Sequence, residues 1–149
     1  MIVLAIDPGF GRCGVAVISG TGSKPELIYS SCIETDKKTS FSERLIKVGS
    51  SIERIITEFS PEIIALEELY FTNNAKTALH VAEVRGMLMY ISASKKIPLV
   101  EFNPLAVKVA ITGYGRATKE QVTKMVEKLV HCEEKKMLDD EYDAIALGI

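Results

Sequence analysis

The chain has 149 residues, 47% of them hydrophobic and 26% charged, with a formal net charge of −2. That size and balance suit one compact soluble domain over residues 1–149, and no charge-free apolar stretch is long enough to span a bilayer. Three scattered cysteines, two histidines distant from any Cys pair and an opening without a basic n-region argue against a disulfide framework, a structural zinc site and a signal peptide, and for a cytoplasmic protein. The charge is unevenly spread. Residues 71–128 carry nine Lys/Arg against four Asp/Glu, between two acidic ends. Such a basic middle can hold phosphates while local acidic clusters do something else.

Residues 2–6 (IVLAI) are an apolar run of strand length that ends in Asp7-Pro8-Gly9. Residues 13–18 and 26–34 read as second and third strands, and the short connections favour antiparallel pairing. The period then changes. Phe41, Leu45, Val48, Ile52, Ile55 and Phe59 recur at three- and four-residue steps, the stripe of a helix. Ser40 and Glu43 resemble a capping box at its start, and Ser60-Pro61 ends it. IIAL at 63–66 is a short buried strand running into Glu67-Glu68. Residues 73–93 read as a helix opened by Asn73-Asn74, and 98–102 as a fifth strand. Residues 104–111 are a short helix or turn, 112–116 a loop with two glycines, 118–130 a helix with Thr118 and Gln121 as its cap, and 139–149 a last helix. His131-Cys132 reads as a helix end. The order βββαβαβα, with one further helix at the C-terminus, gives an α/β fold: a mixed five-stranded sheet, three strands antiparallel and two parallel, flanked by helices.

Asp7 and Glu67 fall at the C-terminal ends of the first and fourth strands, where ligand sites of such sheets lie. Asp7 has two readings. It starts a tight turn, with Pro8 and Gly9 supplying the geometry, or it holds a metal or contacts a phosphate. Asp140 and Asp143 are three apart and share one face of the last helix. Gathered together, four carboxylates repel one another unless divalent cations offset the charge. A set of hard oxygen donors favours Mg²⁺, with Mn²⁺ as substitute, and two such ions can clamp a phosphodiester displacement. Glu68 reads most simply as a surface residue on the opposite side of the strand, and Asp139 as a cap of the last helix.

I-D-P-G near the N-terminus, A-L-E at 65–67, N-A at 74–75, R-G at 85–86 and D-E-Y-D-A-I-A at 140–146 resemble the RuvC family of Holliday junction resolvases over essentially the whole chain. The resemblance implies a ribonuclease H-like fold and a homodimer. It also implies paired symmetric nicks in four-way DNA junctions with Mg²⁺, and a possible branch-migration helicase as partner. The family's metal-binding carboxylates match Asp7, Glu67, Asp140 and Asp143, and its pattern selects Glu67 over Glu68. Two family lysines of DNA binding and catalysis match Lys108 and Lys119. Lys119 can stabilise transition-state charge or be a first-turn surface lysine. Arg116 is counted as a further DNA contact. Tyr70 matches the family's junction-contacting aromatic, and the role of Phe71 stays open. The 73–93 helix is apolar on several sides, with Val81, Val84, Leu88 and Ile91 on one stripe and Leu79, Ala82, Met87 and Met89 outside it. One side can meet the sheet and another a second subunit.

The overall acidity departs from what a DNA enzyme leads one to expect. Three other readings compete. A different ribonuclease H-like nuclease, acting on RNA/DNA hybrids or replication intermediates, would share fold and metals. A sugar-kinase-type phosphotransferase would need a second nucleotide-binding half. A non-catalytic DNA-binding module would not need four carboxylates.

Overall fold

The computed structural model describes residues 1–20, 24–68, 75–131 and 137–149. Five strands form one sheet: β1 (Ile2–Asp7), β2 (Arg12–Ser19), β3 (Glu26–Glu34), β4 (Ile63–Glu67) and β5 (Leu99–Phe102). Their order is β3-β2-β1-β4-β5. β1, β2 and β3 pair antiparallel, while β4 runs parallel to both β1 and β5. This is the mixed sheet expected. The helices α1 (Phe41–Phe59) and α2 (Ala75–Lys95) provide the crossovers, and α3 (Pro104–Thr112), α4 (Lys119–Leu129) and α5 (Asp139–Gly148) follow β5.

Local chemistry sets most helix ends. The Ser40–Glu43 capping box is present, and Ser60 closes α1 in the left-handed region at φ 47°. Thr118 and Gln121 form a second box at α4. Two expectations change. The 104–111 segment is a full helix, because Asn103 caps it and Pro104 sits in its first turn; three helices therefore follow β5 rather than two. Asp139 is not the cap of α5. That position is Leu138, which has no capping side chain, and Asp139 lies in the first turn with Asp140 and Glu141, where acidic residues favour the helix dipole. Asn73-Asn74, Tyr70, Phe71 and Cys132 lie outside the described residues.

Side-chain parity divides the sheet into two faces. Leu4, Ile6, Val15, Val17, Ile64 and Leu66 pack with Val48, Ile52 and Ile55 of α1 and Val84 and Leu88 of α2 in one core. Each fully buried aliphatic contributes about 1.5–3 kcal/mol. The other face carries Ala5, Ala16, Ile18 and Ala65, covered by α5 with α3 and α4. Small residues there let α5 lie close to the strands. Among the described residues no helix is long and apolar enough to cross a membrane.

Candidate active site

The same parity decides where the carboxylates point. Asp7 shares the face of Val3 and Ala5, and Glu67 that of Ala65, which is the α5 side. The β1–β4 register pairs Ala5 with Ala65 and Ile6 with Leu66. The next step along both strands therefore brings Asp7 beside Glu67. Glu68 falls on the opposite side, where its carboxylate accepts a 3.3 Å hydrogen bond from Asn103 Nδ2.

Gly14 delivers the other two. It stands opposite Asp7 in the β1–β2 ladder, and a Cβ there would lie 1.8 Å from the carbonyl oxygen of Asp140. Only a residue without a side chain lets the start of α5 rest on this strand. At the far end Gly148 packs equally tightly, its Cβ position 2.7 Å from Ile18 and 3.1 Å from Ala5. Between these two points α5 is held flush, and Asp140 and Asp143 meet the strand-end acids. Glu141 is buried and accepts a 2.7 Å hydrogen bond from Ser30 Oγ of β3.

The turn after β1 is as tight as its sequence suggests. Gly9 passes so close to the carbonyl of Arg12 that a Cβ would sit 1.9 Å from it. Phe10, two residues after Pro8, enters an aromatic cluster with Phe41 and His80, with the Arg44 guanidinium 4.7 Å above its ring. The turn is tight and pinned, and Asp7 at its start joins the acidic cluster.

The electrostatics are those of crowded acids. Burial, then Glu67, Asp143 and Asp140, push Asp7 up to about 8, and it shares a hydrogen bond with Glu67. Burial also raises Glu67, and Asp143 adds to this. The Asp7 hydrogen bond, Lys119 and Arg85 work against it. Lys119 is pulled down by burial, but Asp143, with Asp139 and Asp140, raises it above its ordinary value. Its Nζ lies 3.2 Å from Asp143 Oδ2. Arg12 Nε lies 3.0 Å from Asp140 Oδ2. That oxygen is buried and has no hydrogen-bond partner, so the guanidinium is near it without donating to it. Arg85, itself buried, donates to the Glu67 carbonyl and to the Glu101 carboxylate, tying β4, β5 and α2 together behind the site.

Among the described residues no three His, Cys, Asp or Glu side chains are grouped tightly enough, as they stand, to close on an ion. Arg12 and Lys119 stand against Asp140 and Asp143, and Asp7 and Glu67 share a hydrogen bond. The donor set nevertheless fits a divalent cation: it is all oxygen, its central acid is driven to protonate, and one buried carboxylate oxygen lacks a partner. Beside it a cleft of about 200 Å³ is lined by Glu67, Lys108, Lys119 and Asp143, with Pro104 and Val107 among its apolar walls. This is below the ~300–1,000 Å³ of small-molecule pockets. Of the lysines expected here, both are present. Arg116 is exposed in the turn before α4 and forms no ion pair among the described residues. Arg12 and Gly14 carry no site reading in the sequence, and Arg85 enters it only in the R-G motif, without a role. An isolated Gly inside a strand signals close approach of another backbone and was the one legible clue.

A mixed sheet of this order, with strand-end acids and a last helix that carries two more, places the chain in the ribonuclease H-like fold class. The family model for crossover junction endodeoxyribonuclease RuvC matches residues 3–149, and the chain belongs to that family, whose nucleases use divalent metal. It is 36% identical to the RuvC of Natranaerobius thermophilus over 149 residues, all of this chain and 92% of that protein. It is 40% identical to that of Thermosipho melanesiensis over 148 residues, 99% of this chain and 94% of that one. Among solved structures it resembles T. thermophilus RuvC in complex with a Holliday junction substrate. The TM-score is 0.92 at 28% identity, covering 99% of this chain and 90% of that one.

Proposed function

We propose that this RuvC-family endonuclease resolves Holliday junctions by paired symmetric nicks, with two Mg²⁺ ions held by Asp7, Glu67, Asp140 and Asp143. The observation that carries this reading is the gathering of four acids from β1, β4 and α5, with Lys119 set against Asp143. When bound, the cations supply an activated water and offset the charge of an in-line displacement at phosphorus. The chain's own groups do the rest. Asp7 would hold the ion as its carboxylate, its proton passing to bulk water. Lys119, held beside Asp143, presents a cation to the scissile phosphate, where charge builds in the transition state. Lys108, in the wall of the same cleft, holds the strand, and Arg116 and Tyr70 are further contacts to the junction.

Residues 1–149 act as a single nuclease domain and pair as a homodimer. The outer side of α2 supports the pairing: Leu79 and Tyr90 are 62% and 73% exposed, and Met89 is exposed beside them. A two-fold dimer matches a two-fold pseudosymmetric junction. A branch-migration helicase is the partner that would supply the junction. The test is cleavage of a labelled synthetic four-way junction in Mg²⁺, beside a linear duplex and an RNA/DNA hybrid of the same sequence. The reading expects paired nicks in the junction alone. Cutting of the hybrid instead would move the protein to another nuclease class, and sedimentation as a monomer at working concentration would remove the dimer.

A further inference from the structure

Arg12 belongs to none of the matched motifs, yet it reaches the acidic cluster. As the first residue of β2, two before Gly14, it shares the α5 face of that strand. Its register partner across the β2–β3 ladder is Glu34, which is exposed. Among the described residues Arg12 forms its ion pair not with Glu34 but with Asp140, at 3.0 Å from Oδ2. That oxygen is shut off from solvent and lacks a hydrogen bond. The two partners differ in freedom. The Asp140 backbone is stacked on Gly14 and cannot move aside. The Arg12 side chain is 50% exposed, so its guanidinium can swing into water or towards Glu34 at small cost.

We propose that Arg12 is a built-in competitor for the cation at Asp140: its guanidinium covers the carboxylate edge a divalent ion needs and gives that edge up when the ion binds. The inference rests on the reading of the four acids as a metal site. It makes Arg12 a positioning residue that sets metal affinity, and so the metal concentration at which the site becomes competent. Lys119 stands in the corresponding place on Asp143, but it faces the cleft and serves the phosphate. Arg12 stands against Asp140 instead and is not among the residues lining that cleft.

The experiment is Mn²⁺ titration of the full chain, with the free ion read by electron paramagnetic resonance. Arg12→Gln, Arg12→Lys, Lys38→Gln and Asp7→Asn are compared with the wild type, and thermal melts show that each is folded. An ion pair exposed to this degree is worth up to about 1 kcal/mol, so Arg12→Gln is expected to bind Mn²⁺ about two- to fivefold more tightly. Arg12→Lys falls between that variant and the wild type. Lys38→Gln removes an exposed charge from the β3–α1 loop and leaves affinity unchanged. Unchanged or weaker binding by Arg12→Gln overturns the proposal, and so does equal tightening by Lys38→Gln, which would reduce it to long-range charge. If the wild type binds no Mn²⁺, or Asp7→Asn binds it as well as the wild type, the metal site itself is misread and the proposal falls with it.

Discussion

The two faces of the sheet are built to opposite specifications. Under α1 and α2 lie Leu4, Ile6, Val15, Val17, Ile64 and Leu66, large side chains that keep the helices at ordinary packing distance and bury apolar area. Under α5 lie Ala5, Gly14, Ala16 and Ala65, with Ile18 at the far end; the small residues let a helix touch the strands, and the apolar cover comes from the helices themselves. The first face draws its core from large strand side chains. The second gives up packing volume for proximity, and the proximity is used to force acids together. Burial first, and then the neighbouring acids, push Asp7 up to about 8 and raise Glu67 from its ordinary value. The lesson is that the site is made by the backbone distance of α5 as much as by the acids it carries.

The contrast can be broken first at the acids. Asp7→Asn should lower junction cleavage by at least about 10²–10³-fold while leaving the fold intact, as gel assays and circular dichroism would show. Adjacent residues of β4 then sharpen it. Leu66→Ala, on the α1/α2 face, should cost about 2–5 kcal/mol in urea unfolding with Mn²⁺ affinity unchanged well below the transition. Ala65→Leu, on the α5 face, should cost less, about 1–3 kcal/mol, yet weaken metal binding and cleavage by lifting the helix. Lys119→Met should slow cleavage about 10²-fold without weakening Mn²⁺ binding, which separates the phosphate's cation from the metal's ligands.

The smallest expected effect is in pH. Asp7 has a folded pKa of about 8 against 3.8 for the free side chain. Between these values the folded chain binds more protons than the unfolded one, so Asp7 removes stability as pH rises from about 4 to about 8. Asn at position 7 cannot lose a proton. In EDTA the Asp7→Asn variant should therefore gain stability relative to wild type across that window, by at least about 1 kcal/mol at its upper end. Mg²⁺ should narrow the gap, since it stabilises ionised Asp7 and not Asn. A constant difference at all pH values would show that Asp7 is not crowded by its neighbours.

Much of this was legible because it is local. The alternating strands, the α1 stripe, the two capping boxes and the three-residue spacing of Asp140 and Asp143 depend on neighbours in sequence. The strand-end position of Asp7 and Glu67 followed from where apolar runs stop. What escaped depends on distant partners. Arg12 meets Asp140, and Arg85 meets Glu67 and Glu101, only after the chain has folded. Neither pairing leaves a periodicity to read. The residue type of Asp139 suggests a cap, yet Leu138 holds that position without a capping side chain.

The most direct test of the account is anomalous diffraction from crystals of the protein with Mn²⁺. The account predicts manganese peaks among Asp7, Glu67, Asp140 and Asp143, with Arg12 moved off Asp140. Peaks elsewhere, with the Arg12–Asp140 pair unbroken and the four acids bare, would contradict it.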